Sequence, residues 1–152
     1  MRRIFLANAG IEEARAFQQM IAACWGENAE LCTTGRGLLE KLRWSPEALV
    51  LIFTENGDFH RLTRQVRIVS AMARVVWLGS GGNQTDIEGV NAGIDGYLHL
   101  PCSPEALENL AACIRQRELV EQNENRLEQE ELRLSSELTD RAEQADSAGE
   151  NL

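Results

Sequence analysis

Apolar residues along this chain fall into five short blocks, separated by longer stretches in which they recur every three or four positions. The first block, residues 3–7 (RIFLA), ends at Asn8 and Gly10 and predicts a buried strand. From Ile11 to Trp25, Ala14, Phe17, Met20, Ile21 and Cys24 keep helical spacing until Gly26 supplies a stop. Residues 29–34 suit a second strand, and residues 36–44 a second helix that ends before Ser45-Pro46. Residues 48–53 (ALVLIF) show no polar alternation, as a central parallel strand covered on both faces requires. After a loop at 54–57, residues 59–72 predict a helix with Leu62, Val66 and Val69 inward and Arg61, Arg64 and Arg67 outward. Residues 74–78 (RVVWL) form the fourth block, 79–83 a glycine-rich loop, 86–91 a short helix and 97–100 the fifth strand. Strands alternating with helices across short connections predict an α/β fold, a doubly wound, open five-stranded parallel sheet.

The pattern changes after the fifth block. Ser103-Pro104-Glu105 opens a helix with an N-cap hydroxyl, proline at the first helical position and an acid in the first turn. No stop signal follows until about residues 146–149, so the helix would be about 60 Å long at ~1.5 Å per residue. A body of about 115 residues has a radius of gyration near 13 Å, so most of that helix is expected to project beyond it. A seam of alternating three- and four-residue steps runs Leu110, Cys113, Arg117, Val120, Glu124, Leu127, Glu131, Leu134, Leu138. One set of seam positions is apolar and the other mixed, which predicts a weak or partner-dependent coiled coil with Val120, Leu127, Leu134 and Leu138 as its dimerisation contacts. The expected organisation is a body over 1–117, a helical extension over 118–145 and a disordered tail over 146–152.

Composition adjusts this picture in three ways. An apolar fraction of 43% is ample for a core. The net charge of −9 is unevenly placed: residues 1–117 hold 13 acids against 12 Lys/Arg, whereas 118–152 hold 11 acids against 3 arginines. An acidic extension repels phosphate backbones, which argues against nucleic-acid binding. The start MRRIFLANAG is too short in apolar residues for a signal sequence, and no apolar run is long enough to span a bilayer, so a cytoplasmic protein is expected. Cys24, Cys32, Cys102 and Cys113 show no C-x-x-C spacing, and His60 and His99 lack neighbouring ligands, so reduced thiols and no metal site are expected.

Residues 92–107, AGIDGYLHLPCSPEAL, closely resemble the last α/β unit of the response-regulator receiver family, A-G-A-x-x-Y-L-x-K-P-F-x-x-x-x-L. The resemblance covers roughly residues 1–117 and implies where chemistry would sit. Receivers place an acidic pair after the first strand, a phosphate-accepting aspartate at the end of the third, a hydroxyl after the fourth and a lysine after the fifth. Here those positions fall on Asn8 and Ala9, on Phe53, on Gly79 with Ser80 one residue late, and on Leu100. The family's switch aromatic matches at Tyr97, and its lysine-proline bond becomes Leu100-Pro101, expected to be cis by the same resemblance.

Phosphoryl transfer to a carboxylate needs the nucleophile, oxygen ligands for a hard cation, and a cation or hydroxyl at the phosphoryl oxygens. Phe53, Asn8, Ala9 and Leu100 supply none of these. The expectation is therefore a non-enzymatic, phosphorylation-incompetent receiver-like module of bacterial two-component-type signalling, without a cofactor, that binds protein partners and forms a homodimer. The resemblance points to the fourth helix, fifth strand and fifth helix as the contact face, through Ile87, Val90, Asn91, Tyr97, His99 and Pro101. Two enzyme-like alternatives stand beside it: a small flavodoxin-like nucleotide or flavin binder using the 79–82 loop, and Cys102 as a nucleophile served by His99. A further alternative makes the chain the N-terminal regulatory half of a longer signalling protein.

Overall fold

The computed structural model describes residues 3–55, 57–81 and 83–150, with side chains described for these except Asn83, Gln84, Asp86 and 140–150. Five parallel strands, β1 (Ile4–Ala7), β2 (Ala29–Cys32), β3 (Leu49–Phe53), β4 (Arg74–Gly79) and β5 (Gly96–His99), lie in the order β2-β1-β3-β4-β5. Five helices connect and follow them: α1 (Ile11–Trp25), α2 (Gly35–Trp44), α3 (Phe59–Val69), α4 (Asn83–Ala92) and α5 (Pro104–Glu150). The doubly wound five-stranded parallel sheet expected from the sequence is the one observed. Contacts divide the chain into two compact units, Met1–Ala111 and Ala112–Leu152, and the division falls inside α5.

The first unit is built around β3, whose five residues are all buried. Its register, Ile4 beside Leu49 and Leu49 beside Arg74, sends alternate residues to opposite faces. On one face Phe5, Val50, Ile52, Val75 and Trp77 pack with Leu38 and Leu42 of α2 and with Leu62 and Val66 of α3. The Trp77 indole is kept inside by a partner of its own: Nε1 donates to Thr63 Oγ1 at 2.9 Å, and that hydroxyl donates to Phe59 O at 2.7 Å. On the other face Phe17 of α1 meets Phe53 edge to face at 5.8 Å, Leu110 lies close to Gly96, and Trp25 Nε1 donates to Leu107 O at 3.3 Å.

Element ends differ from the sequence reading where a cap intervenes. Thr34 does not extend β2; it caps α2, accepting from Gly37 N at 3.0 Å. Helix α3 stops at Val69 rather than running to Met72, because the Ser70 hydroxyl donates to Pro46 O at 2.5 Å and its backbone turns extended. Helix α4 runs from Asn83, earlier than the expected Asp86, to Ala92, and Gly93 at φ 75° ends it. Helix α5 opens on the Ser103 hydroxyl, which accepts from Ala106 N at 3.2 Å, and is described through Glu150. Arg67 corrects the outward placement expected for it. Its guanidinium folds back to donate to Ala73 O and Gly93 O, both at 2.7 Å, and to Asp95 Oδ2 at 3.0 Å.

In the second unit the described side chains from 119 to 139 are exposed, among them Val120, Leu127, Leu134 and Leu138. No helix among the described residues is long and apolar enough to cross a membrane.

Candidate functional site

In a doubly wound sheet the place for chemistry is the crevice at the carboxyl ends of the strands, beside the reversal of strand order. Here the chain winds from β1 outward to β2 and then back across to β3, so the crevice lies above the ends of β1, β3 and β4. Five of the residues singled out by sequence come to this end of the sheet.

Asn8, directly after β1, is the one non-glycine residue with positive φ among the described residues, at 64°. Asparagine tolerates this left-handed conformation better than most side chains. The turn aims its Nδ2 at Phe53 O, to which it donates at 3.0 Å, so Asn8 closes the β1 and β3 ends together. Phe53 is 1% exposed, with its ring against Phe17 rather than in the crevice. Thr54 follows, its N–H donating to Leu78 O at 2.8 Å and its hydroxyl to the same oxygen at 3.3 Å. A Cβ placed on Gly79 would fall on Thr54 Oγ1, so the Thr54 hydroxyl fills the space a side chain at 79 would need. Leu100 N donates to Gly79 O at 2.9 Å, continuing the β5 pairing one residue past the strand, and Leu100-Pro101 is cis as the resemblance implied.

Charge is present in the crevice through Glu55. Its Oε1 accepts from Ser80 N at 2.7 Å and from Ser80 Oγ at 2.6 Å. These two bonds, the hydroxyl's first, hold the Glu55 carboxyl below the usual carboxylate range. A carboxylate that already takes the Ser80 amide works against an anion at the 79–82 loop, where a phosphate-cradling reading needs free N–H donors. Gly82 lies outside the described residues. Tyr97 leans toward the same loop: Cβ atoms added at Gly79 and Gly81 would lie 3.2 and 3.0 Å from its hydroxyl. That hydroxyl is buried with no hydrogen-bond partner among the described residues.

Cys102 has no nucleophile's surroundings. Its thiol donates to Met20 Sδ at 3.6 Å, and burial pushes its pKa up, away from the reactive thiolate. The His99 ring packs against Tyr97 with centroids 4.6 Å apart and planes tilted by 48°. Among the described residues no group of three or more His, Cys, Asp or Glu is placed to hold a metal ion.

The surface expected to meet partners is open at Ile87 and Val90, which are 61% and 77% exposed on α4. Asn91, His99 and Pro101 are also exposed, whereas Tyr97 is half-buried with its hydroxyl turned inward. Glu55 as the ligand of Ser80 and Asp95 as the ligand of Arg67 were missed by sequence reasoning. Each pair is separated by 25 or more residues and carries no local signal.

No family model matches the sequence, and no curated protein does. Solved structures do resemble it. An adenylate cyclase from Rhodopirellula baltica superposes with a TM-score of 0.66 at 20% identity, covering 84% of this chain and 97% of that one. A two-component response regulator from Clostridium difficile gives 0.65 at 19%, covering 77% and 98%. The Vibrio cholerae chemotaxis protein CheY4 gives 0.62 at 18%, covering 74% and 97%. At such identities the likeness is one of fold. This chain has the fold of CheY-like receiver domains, with a long C-terminal helix.

Proposed function

We propose that this chain is a pseudo-receiver: a non-enzymatic, phosphorylation-incompetent interaction module of bacterial two-component-type signalling, acting in the cytoplasm. The observation that carries the reading is that the residues at this end of the sheet bring no phosphoryl acceptor, metal ligand or cation to the positions where a receiver has them. Phe53, at the position of a receiver's phosphate acceptor, is a core side chain, and Asn8 and Ala9 bring no anionic metal ligand. Leu100 brings no cation, and the Thr54 hydroxyl occupies the space beside Gly79. What such a fold retains is surface. The Ile87, Val90, Asn91, Tyr97, His99 and Pro101 face of a body over 1–117 is one contact region, and the helical extension over 118–145 is the other. Along that extension Val120, Leu127, Leu134 and Leu138 present apolar side chains for protein contact, and self-association through them is expected to be weak at neutral pH because Glu124 and Glu131 share the seam. The activity named for the Rhodopirellula neighbour belongs to that protein.

Titration of the labelled chain with Mg²⁺ and beryllofluoride, followed by amide NMR, tests the reading. The expected result is no saturable shift at the Asn8, Thr54 and Ser80 amides. Saturable shifts confined to these positions would show a working acyl-phosphate pocket.

A further inference from the structure

Around the seam of the second unit, charge is sorted by side. With Cys113, Val120, Leu127 and Leu134 at the d positions of a heptad, Arg117, Glu124, Glu131 and Leu138 occupy a. The flanking e and g positions between 116 and 137 hold Glu121, Glu128, Glu130 and Glu137, with Gln116, Asn123 and Ser135 the only other residues there. The seam and its rims therefore carry six carboxylates and one guanidinium. Arg126 and Arg133 both fall at c, on the opposite side of the helix. Helix is continuous through these positions and every described side chain from 119 to 139 is exposed, with Val120, Leu127, Leu134 and Leu138 between 48% and 65% exposed.

Such a face discriminates among occupants by charge. Two copies pairing in parallel would set Glu124 on Glu124 and Glu131 on Glu131 in the buried a layers. Pairing in the antiparallel sense moves those glutamates against Leu127 and Val120, but it brings e against e, so Glu121 of each copy still meets Glu128 of the other, while Glu130 and Glu137 face only Asn123 and Gln116 and gain no partner charge. A helix with apolar seam residues flanked by Lys or Arg meets the same face with every charged rim pair attractive, and its long cationic side chains can also reach toward the a-position carboxylates while their stems cover apolar surface.

Resting on the reading of this chain as an interaction module, we propose that residues 117–138 form a docking face for a basic amphipathic helix of a protein partner. The face spans about 32 Å, which three heptads of a partner, about 21 residues, would cover. A second copy of this chain competes for the face only weakly, because like charges meet across it.

The test uses the full chain and two synthetic three-heptad helices, both with Leu at a and d, one with Lys and the other with Glu at e and g. Binding is followed by fluorescence anisotropy at neutral pH. The Lys helix is expected to bind at least about tenfold more tightly than the Glu helix. That binding should weaken about tenfold between ~0.1 and ~1 M salt, as the Debye length falls from about 10 to about 3 Å. Leu127→Ser with Leu134→Ser, which keeps every charge, should abolish it, whereas Arg126→Ser with Arg133→Ser on the far side should leave it unchanged. Far-UV circular dichroism confirms that each variant keeps its helix. Equal binding of the two helices, or undiminished binding by the Leu127→Ser/Leu134→Ser variant, would overturn the proposal. So would a neutral-pH dimer that this variant converts to monomer and that is tighter than the complex with the Lys helix, since a second copy would then hold the face. Each of these outcomes is independent of the beryllofluoride result, which reads the crevice and not the helix.

Discussion

At Gly79 a hydroxyl cannot be restored by one substitution, because the Cβ would fall on Thr54 Oγ1. Gly79→Ser is expected to cost about 1–3 kcal/mol as an overpacked site. Adding Thr54→Ala should recover much of that, a non-additivity of at least ~0.5 kcal/mol readable from urea midpoints. Phe53→Asp is the corresponding change at the acceptor position. Losing the ring alone costs about 3–5 kcal/mol, and an aspartate left against Phe17 adds a carboxylate with no partner. The variant should be largely unfolded in a urea titration, and it should gain no phosphoryl acceptance because Asn8, Ala9 and Leu100 are unchanged. Glu55 gives a pH signature. Its folded-state pKa lies below the ordinary value, so its contribution is present above the ordinary carboxylate range and is lost as pH falls through the folded value. The Ser80 amide shift should titrate with an apparent pKa below that of a free glutamate, and Glu55→Gln should remove the titration.

Between elements, Arg67 joins the C-terminal turn of α3 to the residues just before β4 and to the α4–β5 turn. Asp95, its acidic partner, also accepts from Val75 N at 2.8 Å, which fixes β5 against β4. Arg67→Ala is expected to cost roughly 1.5–3 kcal/mol. Arg67→Lys should rescue little of it, because one ammonium cannot reproduce a fork reaching two carbonyls and a carboxylate. Both are measured by thermal and urea unfolding. This cluster also marks where sequence reading stops. The strands were legible because burial on both faces leaves runs such as LVLIF without alternation, and the helices because Ala14, Phe17 and Ile21 or Leu62 and Val66 repeat at helical spacing. Helix ends set by a distant acceptor, such as Ser70 on Pro46, were not legible, nor was an arginine whose partner lies 28 residues away. The crevice was half legible: its residue types could be laid along the receiver pattern, but the filling of position 79 by Thr54 and the capture of Ser80 by Glu55 depend on the fold that juxtaposes β3 and β4.

Over the whole molecule, the division of charge matches the division of roles proposed for it. A nearly neutral body has the sheet and helices of the receiver fold, with Asn8 tied to Phe53 O and the Thr54 hydroxyl set beside Gly79 at its strand ends. The acidic second unit holds most of the net charge of −9 along one helix, where it can select partners without cost to a core. The absence of phosphoryl acceptance is the claim on which this division depends, since a chain that could be phosphorylated would carry its signal in the crevice rather than on its surfaces. Intact-mass measurement of the full chain after incubation with acetyl phosphate and Mg²⁺ tests it most directly. The expected result is an unmodified mass at all times. A stoichiometric increase of one phosphoryl group, labile to hydroxylamine as an acyl phosphate is, would contradict it.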